Sequence, residues 1–539
     1  MASEERTPAG RQLRTWLTSA CLLGLISTSS CNAVVDTKGR ETCSDSSECS
    51  ARYGEPSACV ESACVRLLTP QCTEVWPNDA LTKKNVILIG FVGALEGGFA
   101  SYGGPTKEGA ELALTQIEVL SNGLPAAPDG GGQRQLAMLV CDHGSDVSAV
   151  ARHLVDNVHV PMIIGDSFST PTLTMFDEVA RPAGVLVLSP SATSPGLTTH
   201  EDDGLLWRTS PSDVVQVELL KYLVVDVDKV LRDSGVVSED QRTKIAMPTK
   251  KDSAGIGLAN AAAKLSDDAA IPAPVVDVGF PYQYENPDEQ PGNPIDWPLH
   301  ISKILEYGPH IVLAMGTGEF VTSMLQGIED GWDAKNPNLP RPWYLMPEGD
   351  KVSELGVLVG KNRSYGLNER IVGTAPGARR SRLFDSFSTA FQGTFDQREP
   401  GNLAEFGYDA AYLAAYAIAI SRKANPTGRE LAEAMKHMSC HDKPPVPVGP
   451  TGFSGHFRDA ATDGCIDFDG ASGPLDFNPD TGEALSDIGM WCVRRNPDGS
   501  YGFEPPLDSY YSVNDSAVAV DPGKAPLDLS KAGWCAPKK

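Results

Sequence analysis

The sequence predicts an α/β protein made of two doubly wound lobes, preceded by a small cysteine-rich module. From Lys84 onward, apolar runs of strand length alternate with amphipathic helical patterns, and such alternation is typical of parallel sheets covered by helices. The alternation restarts after the segment 205–213 (LLWRTSPSD), which indicates a second lobe. A chain of 539 residues is long enough for more than one compact unit.

The first 30 residues have the layout of an export signal. A weakly positive start is followed by an apolar or small stretch at 15–28, which is short for a membrane span, and then by Ser-Ser-Cys31. A cysteine at the cleavage point resembles the bacterial lipoprotein signal, so we expect Cys31 to carry lipid and to hold the protein at the periplasmic or extracellular face of the cell envelope. A plain secretory signal is the alternative, because position 28 is Thr where that pattern usually has Leu.

The cysteine count of an exported chain indicates disulfides. Twelve cysteines are present; removal of Cys21 with the signal and lipidation of Cys31 leave ten. Zinc is the alternative, but the sequence offers neither a C-x2-C pair nor an accompanying histidine cluster, so no metal is expected. The disulfide candidates are Cys43, Cys49, Cys59, Cys64, Cys72, Cys141, Cys440, Cys465, Cys492 and Cys535.

Residues 31–83 are expected to form a cysteine-rich stalk and linker. The segment 32–71 has too few apolar residues for a core of its own, so disulfides must hold it together. Five cysteines lie between Cys43 and Cys72 inclusive, and an odd number leaves at least one free or bonded outside the module. We expect Cys72 to pair with a C-terminal cysteine.

The net charge of −25 argues against nucleic acid as a partner, since nucleic-acid binding needs a basic face. The glycine-rich loop at 93–104 lacks the Walker lysine and the G-x-G-x-x-G spacing, and neither an H-E-x-x-H motif nor a G-x-S-x-G elbow is present. We therefore expect neither a cofactor nor an enzyme. An extracytoplasmic hydrolase is the least favoured alternative, because catalytic triads assemble from distant residues.

The apolar and amphipathic patterns give the elements in order. In the first run, strands are predicted at 85–90, 136–141, 161–165 and 185–189, with helices at 107–119, 147–156 and 171–181. In the second run, strands are predicted at 245–247, 275–278, 311–315 and 343–346, with helices at 253–265, 299–307 and 319–331. The strand 371–374 is expected to return to the first lobe, followed by helices at 380–393 and 408–424 and a tail of loops and short strands at 440–535.

The stretch 160–198 is the centre of the prediction. Its two strands each end in a cluster of Ser, Thr and Gly. Ligands of open parallel sheets bind at the carboxyl ends of strands, where the first N–H groups of the next helix are unpaired and favour anions. Two adjacent strand ends would therefore present hydroxyl and N–H groups to one small carboxylate. The alternative is that these residues only cap helices and turns.

Several segments in order resemble the type I periplasmic binding proteins, closest to the branched-chain amino-acid receptors of ABC transporters. They are VILIGFVGALEGGFASYGGPTKEGAELAL, MIIGDSFST with VLVLSPSATSPGLT, WRTSPSD, YLMPEG, FGYDAAYLAAYAIA and DFDGASGPLDFNPDTG. The resemblance covers 84–518 and implies two lobes joined by three crossovers, with a ligand clamped between them. It places one domain at 84–520, with lobe 1 at about 84–211 and 372–440, lobe 2 at about 212–371 and 441–520, and a tail at 521–539.

The resemblance also implies site residues. Tyr102 matches an aromatic residue that lines the cleft, and Ser169 matches a hydroxyl that holds a ligand carboxylate. Ser191 and Thr193 match positions that bind carboxylate and ammonium, and Glu348 matches the second-lobe acid that pairs with the ammonium. Charge-assisted hydrogen bonds of this kind contribute about 1.5–3 kcal/mol each.

Two positions depart from the family pattern. Where related receptors often place second-lobe aromatic residues on the ligand, this chain has Ala254 and Gly318. The ligand could therefore be a larger amide, an aromatic acid or a peptide fragment rather than a simple amino acid. We expect a receptor that captures a small polar ligand by lobe closure and delivers it to an ABC permease. The alternative is a sensing or protein-interaction module of the cell envelope.

Overall fold

The computed structural model describes residues 42–97, 100–130, 132–263, 276–287, 294–377, 381–503, 509–520, 526–531 and 533–535. The expected signal and Cys31 lie outside these residues. Within them, no helix combines the length and the apolar character needed to cross a bilayer.

The N-terminal module is a short helix packed on a hairpin. It consists of α1 (Ser46–Tyr53), β1 (Ser57–Val60) and β2 (Ala63–Arg66), with β1 and β2 antiparallel. Disulfides join Cys43 to Cys59 and Cys49 to Cys64. As the composition predicts, covalent cross-links hold a segment that has little apolar surface to bury.

The third disulfide corrects one prediction. Strand β3 (Cys72–Trp76) pairs with β5 (Gln135–Asp142), and this ladder sets Cys72 opposite Cys141, to which it is bonded. The expected bond from Cys72 to a C-terminal cysteine is therefore wrong, because pairing between strands that are distant in sequence decides which sulfurs meet. The remaining cysteines pair as Cys440–Cys465 and Cys492–Cys535, so all ten candidates form disulfides.

The first lobe alternates strands and helices as predicted. After a 3₁₀ turn (Ala80–Thr82), its elements are β4 (Val86–Gly93), α2 (Ala100–Ser121), β5, α3 (Val147–Arg152), β6 (Met162–Gly165), α4 (Ser169–Met175), α5 (Arg181–Ala183), β7 (Leu186–Ser189), α6 (Pro195–Thr198) and β8 (Leu206–Arg208). Two π-helical segments, His153–Asn157 and Phe176–Ala180, continue α3 and α4.

The second lobe repeats the pattern. Its elements are α7 (Asp213–Asp233), β9 (Thr243–Lys250), α8 (Ser253–Ala263), β10 (Val276–Tyr284), α9 (Trp297–Tyr307), β11 (Ile311–Leu313), the π-helical segment Phe320–Leu325 leading into α10 (Gln326–Lys335), β12 (Trp343–Met346), a 3₁₀ turn (Glu348–Asp350), α11 (Ser353–Lys361), 3₁₀ turns at Arg363–Tyr365 and Leu367–Glu369, and β13 (Ile371–Pro376).

The rest of the chain contributes elements to both lobes. Its elements are α12 (Arg382–Thr394), α13 (Ala404–Ser421), α14 (Gly428–Met435), β14 (Pro445–Pro447), α15 (Phe453–Asp463), β15 (Asp467–Asp469), β16 (Asp476–Asn478), β17 (Glu483–Leu485), β18 (Ile488–Trp491), β19 (Val493–Arg495), β20 (Tyr501–Phe503), β21 (Ser509–Ser512) and β22 (Ala517–Val520).

Two eight-stranded sheets form the centres of the lobes. The first has the order β16-β17-β8-β7-β6-β4-β5-β3, and the second has the order β10-β9-β11-β12-β13-β18-β21-β22. Parallel pairing joins β17 through β5 in the first sheet and β10 through β13 in the second. Antiparallel strands complete both edges of the first sheet and one end of the second. The chain passes between the sheets at 208–213, 376–382 and 485–488, which confirms the three crossovers.

The boundaries of the lobes differ from the expected ones. Strand β13 stays in the second sheet, parallel to β12, and β16 and β17 join the first sheet beside β8, where Glu483 pairs with Arg208. The region 441–485, expected in lobe 2, thus contributes to lobe 1, and the return to lobe 1 follows β13 rather than including it. Three-residue strands carry too little periodicity to show which sheet they join.

The first-lobe core is centred on α13, whose residues from Ala404 to Ile420 are all buried. It packs on α2 at a point where two glycines meet the neighbouring backbone. A Cβ on Gly109 would lie 1.9 Å from the Ala404 carbonyl oxygen, and one on Gly407 would lie 2.0 Å from that of Thr106. This close contact fixes α2, which carries Tyr102 in its first turn, against the body of lobe 1.

Candidate functional site

The structure brings the predicted first-lobe hydroxyls to one sheet edge. Ser169 lies at the start of α4 after β6, and its Oγ accepts a hydrogen bond of 3.1 Å from the Ser194 backbone N–H. Ser191 follows β7, and its Oγ donates to the Ser167 carbonyl at 3.1 Å. These hydroxyls therefore tie the two strand-end loops together. The helix-cap alternative for Ser169 does not describe the structure, because the residue preceding α4 is Phe168 and no side chain caps the helix.

Thr193 and Glu348 meet across the two lobes. The Thr193 Oγ1 donates to Glu348 Oε1 at 3.3 Å, and Gln216 Nε2 donates to the other Glu348 oxygen and, at 3.1 Å, to Asp213 Oδ1. Thr374 Oγ1 in turn donates to Gln216 Oε1 at 2.8 Å. The predicted pair is thus the centre of a wider network.

Two carboxyl groups of this network, those of Glu348 and Asp213, have raised pKa values. Burial, with a smaller contribution from the negative charge of Asp213, raises the pKa of Glu348 to about 8. Burial also raises the pKa of Asp213 to about 6, although hydrogen bonds from Gln216 and Thr193 and the charge of Arg208 oppose the shift. At neutral pH Glu348 is therefore largely protonated in this arrangement.

Tyr102 of the first lobe forms hydrogen bonds with the second lobe next to Glu348. Its hydroxyl donates to the Gly349 carbonyl and accepts from the Gly318 N–H at 2.9 Å, and its ring centroid lies 5.2 Å from that of Phe168. A Cβ at Gly318 would lie 3.1 Å from Val352 Cγ1 and 3.3 Å from the Tyr102 oxygen. The glycine at position 318, where related receptors often have an aromatic residue, thus has a physical reason. A side chain at this position would occupy the space next to the Tyr102 hydroxyl.

Contacts near Ala254 also join the lobes. Ser194 Oγ donates to the Ser253 carbonyl at 2.8 Å, and the Ser253 N–H donates to Thr170 Oγ1 at 3.0 Å. The Cδ of Pro195 lies 2.6 Å from the position that a Cβ on Gly257 would take. The first turns of α8 therefore lie directly against lobe 1 and leave little space for a bulky side chain here.

A buried charged network around Lys250 was not predicted from the sequence. Lys250 Nζ, buried at the end of β9, lies 3.0 Å from Asp252 Oδ2, 3.1 Å from Thr317 Oγ1 and 3.9 Å from Glu319 Oε2. Tyr284 Oη donates to Glu319 Oε1 at 2.6 Å. Burial opposes ionisation of Glu319, but the charge of Lys250 and the hydrogen bonds from Thr317 and Tyr284 outweigh it, so the pKa of Glu319 is lowered. The only available signal was that Lys250 follows the predicted strand 245–247 by three residues.

Asp350 is the second residue that sequence reasoning missed. It is 0% exposed, and neither carboxylate oxygen has a hydrogen-bond partner among the described residues. Burial, followed by the charges of Glu319 and Glu348, raises its pKa well above the usual range. The signal that could have identified it is its place in MPEGD, two residues after Glu348.

A cavity of about 710 Å³ adjoins these contacts. It lies between the lobes, and Ser101 and Lys351, the immediate neighbours of Tyr102 and Asp350, belong to its wall. The lining residues are Ser101, Pro105, Lys351, Val352, Ser353, Ala375, Pro376, Gly377, Phe384, Glu399, Pro400, Gly401, Asn402, Leu403, Glu405, Gly489, Met490, Trp491, Asn496 and Phe503.

Side chains able to hold a metal ion occur elsewhere in the described part of the chain. Nitrogen and oxygen atoms of His441, Asp467 and Asp476 lie within 4.8 Å of one another on a largely exposed surface of the first lobe. They share no residue with the interlobe contacts, whose hydroxyls, amides and carboxyls suit a polar organic ligand.

Comparisons with known proteins agree with this architecture. A family model described as periplasmic binding protein matches residues 86–468. The leucine-, isoleucine-, valine-, threonine- and alanine-binding protein of Pseudomonas aeruginosa is 25% identical over 378 residues, which cover 68% of this chain and 86% of that protein.

Solved structures share the fold at low sequence identity. A leucine-binding protein from Thermotoga maritima has a TM-score of 0.55 at 17% identity, and the match covers 81% of this chain and 99% of that one. A solute-binding protein of an ABC transporter from Rhodopseudomonas palustris, in complex with 3,4-dihydroxybenzoic acid, also has a TM-score of 0.55 at 17% identity, covering 82% and 100%.

Proposed function

The chain belongs to the periplasmic binding protein family, and we propose from this premise that it is an extracytoplasmic receptor that captures a small polar solute between its lobes. The observation that carries the proposal is the contact of Thr193 Oγ1 with Glu348 Oε1, 3.3 Å apart, which brings predicted ligand groups of opposite lobes together. A ligand that contacts both lobes stabilises the closed arrangement by its differential affinity for it.

The proposed ligand is an amino acid or a related amide or carboxylate. Ser169, Ser191 and Thr193 provide hydroxyls and backbone N–H groups for a carboxylate without a bulky counter-charge. Glu348 provides the acid for an ammonium, which would also return the raised pKa of this carboxyl towards its usual range. The binding specificity in the name of the Pseudomonas aeruginosa relative supports this class.

For transport, the receptor would deliver its ligand to an ABC permease while anchored through lipid on Cys31. The lipoprotein-like start of the sequence supports the anchor, and the family supports the permease. The protein would act by binding alone, not as an enzyme.

A second candidate is a ligand-sensing or protein-interaction module without transport. The Cys72–Cys141 bond favours it, since it attaches the N-terminal module firmly to lobe 1 and would present that lobe to a partner. A partner protein that binds this chain only when the ligand is present, and that is not a permease, would support this alternative.

A thermal-shift screen tests receptor function. The protein would comprise residues 32–539, produced under oxidising conditions, because a chain that begins at Lys84 would lose Cys72 and its bond to Cys141. The panel would hold amino acids, small amides, aromatic acids and short peptides. A binder at about 100 times its Kd should add about 2.7 kcal/mol of stability.

Matched variants identify the site. Thr193→Ala and Glu348→Gln should abolish the shift, whereas Thr451→Ala and Glu354→Gln, at exposed positions, should leave it unchanged. A folded protein that no compound stabilises would contradict the receptor proposal.

A further inference from the structure

Three metal-ligating side chains of the first lobe converge on one point of its surface. The Nδ1 atom of His441 lies 3.4 Å from Asp467 Oδ1 and 3.7 Å from Asp476 Oδ1, and one ligand atom from each residue lies within 4.8 Å of the other two. An imidazole with two carboxylates is a ligand set that suits zinc. Calcium and magnesium prefer oxygen ligands alone, so the imidazole favours a metal ion of the zinc class.

The distances around His441 fit a metal site better than they fit hydrogen bonds. Both exceed the length of about 2.7–3.2 Å that is usual for an N–H···O hydrogen bond. Zinc–ligand bonds of about 2.0–2.2 Å in a tetrahedral arrangement set the ligand atoms about 3.3–3.6 Å apart. The observed 3.4 and 3.7 Å are close to these values, and rotation of the Asp476 carboxylate can bring it nearer to Asp467. The alternative is an ion pair between a protonated His441 and the carboxylates.

A disulfide holds the first two ligands next to each other. It joins Cys440, the neighbour of His441, to Cys465, two residues before Asp467. The Cys440 N–H also donates to the Ile466 carbonyl at 2.9 Å. The two ligand-bearing segments are therefore joined covalently and by their backbones, directly beside the ligands.

One serine ties the third ligand to the same place. Ser439, two residues before His441, donates through Oγ to the Leu475 carbonyl at 3.2 Å and accepts from the Phe477 N–H at 2.8 Å. Leu475 and Phe477 are the two neighbours of Asp476, so the backbone on both sides of this ligand is held. A site with its ligands already in place binds more tightly, because less freedom is lost on binding.

The site is open to solvent and negatively charged. The side chain of His441 is 68% exposed, that of Asp476 is 43% exposed and that of Asp467 is 17% exposed, so a metal ion can enter directly. Asp469 faces the same side of β15 as Asp467 and adds a further negative charge nearby.

We propose that His441, Asp467 and Asp476 bind one divalent metal ion of the zinc class, with water in the fourth coordination position. The three residues share no contact with the interlobe site, so the inference goes beyond the proposed function and does not depend on it. The sequence predicted no metal, because the three ligands lie on separate segments that only the disulfide and the backbone contacts bring together. The ion would cross-link these segments and stabilise the folded protein.

Titration calorimetry with zinc chloride tests the proposal. Residues 32–539 are treated with a chelator, freed of it and kept oxidised, because free thiolates also bind zinc. One equivalent of zinc should bind. His441→Ala, Asp467→Asn and Asp476→Asn should each weaken binding at least about tenfold, since even groups that only orient a ligand contribute this much. His437→Ala and Asp442→Asn, at exposed positions of the same segment, are the matched controls and should bind as wild type does.

The buried carboxyls between the lobes are the competing site for zinc. Glu348→Gln should therefore bind zinc with wild-type affinity and stoichiometry. Zinc binding that survives unchanged in His441→Ala, or that is lost in Glu348→Gln, would overturn the assignment. A wild-type protein that binds no zinc would also overturn it and would leave His441 as an ion-pair partner. Neither result decides whether the cleft binds a solute, which the thermal-shift screen measures separately.

Two further measurements guard against loss of structure and against the wrong metal. His441 and Asp476 are exposed, so their variants should keep the wild-type circular dichroism spectrum, and zinc should raise the melting temperature of wild type but not of His441→Ala. Calcium chloride at the same concentration should not displace zinc. Displacement by calcium would overturn the assignment to a metal of the zinc class.

Discussion

Replacement of Glu348 by Gln should change how stability depends on pH. The folded carboxyl keeps its proton up to a pKa of about 8, because burial and, secondarily, Asp213 disfavour its charge, whereas the ordinary value is 4.5. Between these values unfolding releases a proton. The stabilisation is fully present below about pH 4.5 and is lost as the pH rises through about 8.

The size of this change in unfolding free energy follows from the release of one proton on unfolding. The slope is about 1.4 kcal/mol per pH unit, so wild type should lose about 2 kcal/mol between about pH 6 and about pH 7.5 through this group. The amide of Gln can still accept a hydrogen bond from Gln216 and contact Thr193, but it does not titrate. The difference in unfolding free energy between variant and wild type should therefore rise by that amount over this interval.

Urea unfolding at the two pH values, at constant ionic strength, measures this difference. Glu354→Gln is the control, because Glu354 is exposed. Identical pH dependence in wild type and Glu348→Gln would refute the reasoning and would mean that Glu348 is solvated or paired with a cation in the folded protein.

Three further changes test the interlobe contacts and the cross-link. Tyr102→Phe leaves the Gly318 N–H and the Gly349 carbonyl without their partner, and should lower the unfolding free energy in urea by about 1–3 kcal/mol; an unchanged value would contradict the contact. Gly318→Val places methyl groups against Tyr102 and should lower stability by about 1–3 kcal/mol through overpacking, seen as a lower melting temperature; an unchanged melting temperature would contradict the close contact. Joint replacement of Cys72 and Cys141 by Ser opens a link that spans 69 residues and should cost about 2–5 kcal/mol; equal urea midpoints for the oxidised proteins would show that the link is dispensable.

Regular elements and the strand-end cluster were predictable from the sequence. Strand β4 was expected at 85–90 and occupies Val86–Gly93, because a buried parallel strand needs a continuous apolar run. The resemblance and the strand-end argument both placed Ser169, Ser191 and Thr193 at one edge of a sheet, where they lie. Local composition and the geometry of parallel sheets suffice for such predictions. The roles of these residues as ligand groups stay predictions.

Long-range pairing was not predictable. Neither the Cys72–Cys141 bond nor the position of β16 and β17 beside β8 has a local signal. Asp350 shows the same limit within the site. Its complete burial and the absence of a hydrogen-bond partner among the described residues depend on tertiary packing, whereas the sequence shows only that it lies two residues after Glu348.

The antiparallel pairing of β3 with β5 has a mechanical consequence. This ladder and its disulfide join the N-terminal module to the edge of the first sheet, so any load applied to the chain before Cys72 reaches the first lobe directly. The second lobe is linked to it covalently only through the three crossovers. If the lobes close on a ligand as proposed, the first lobe would stay fixed relative to the N-terminal module and the second lobe would be the part that moves.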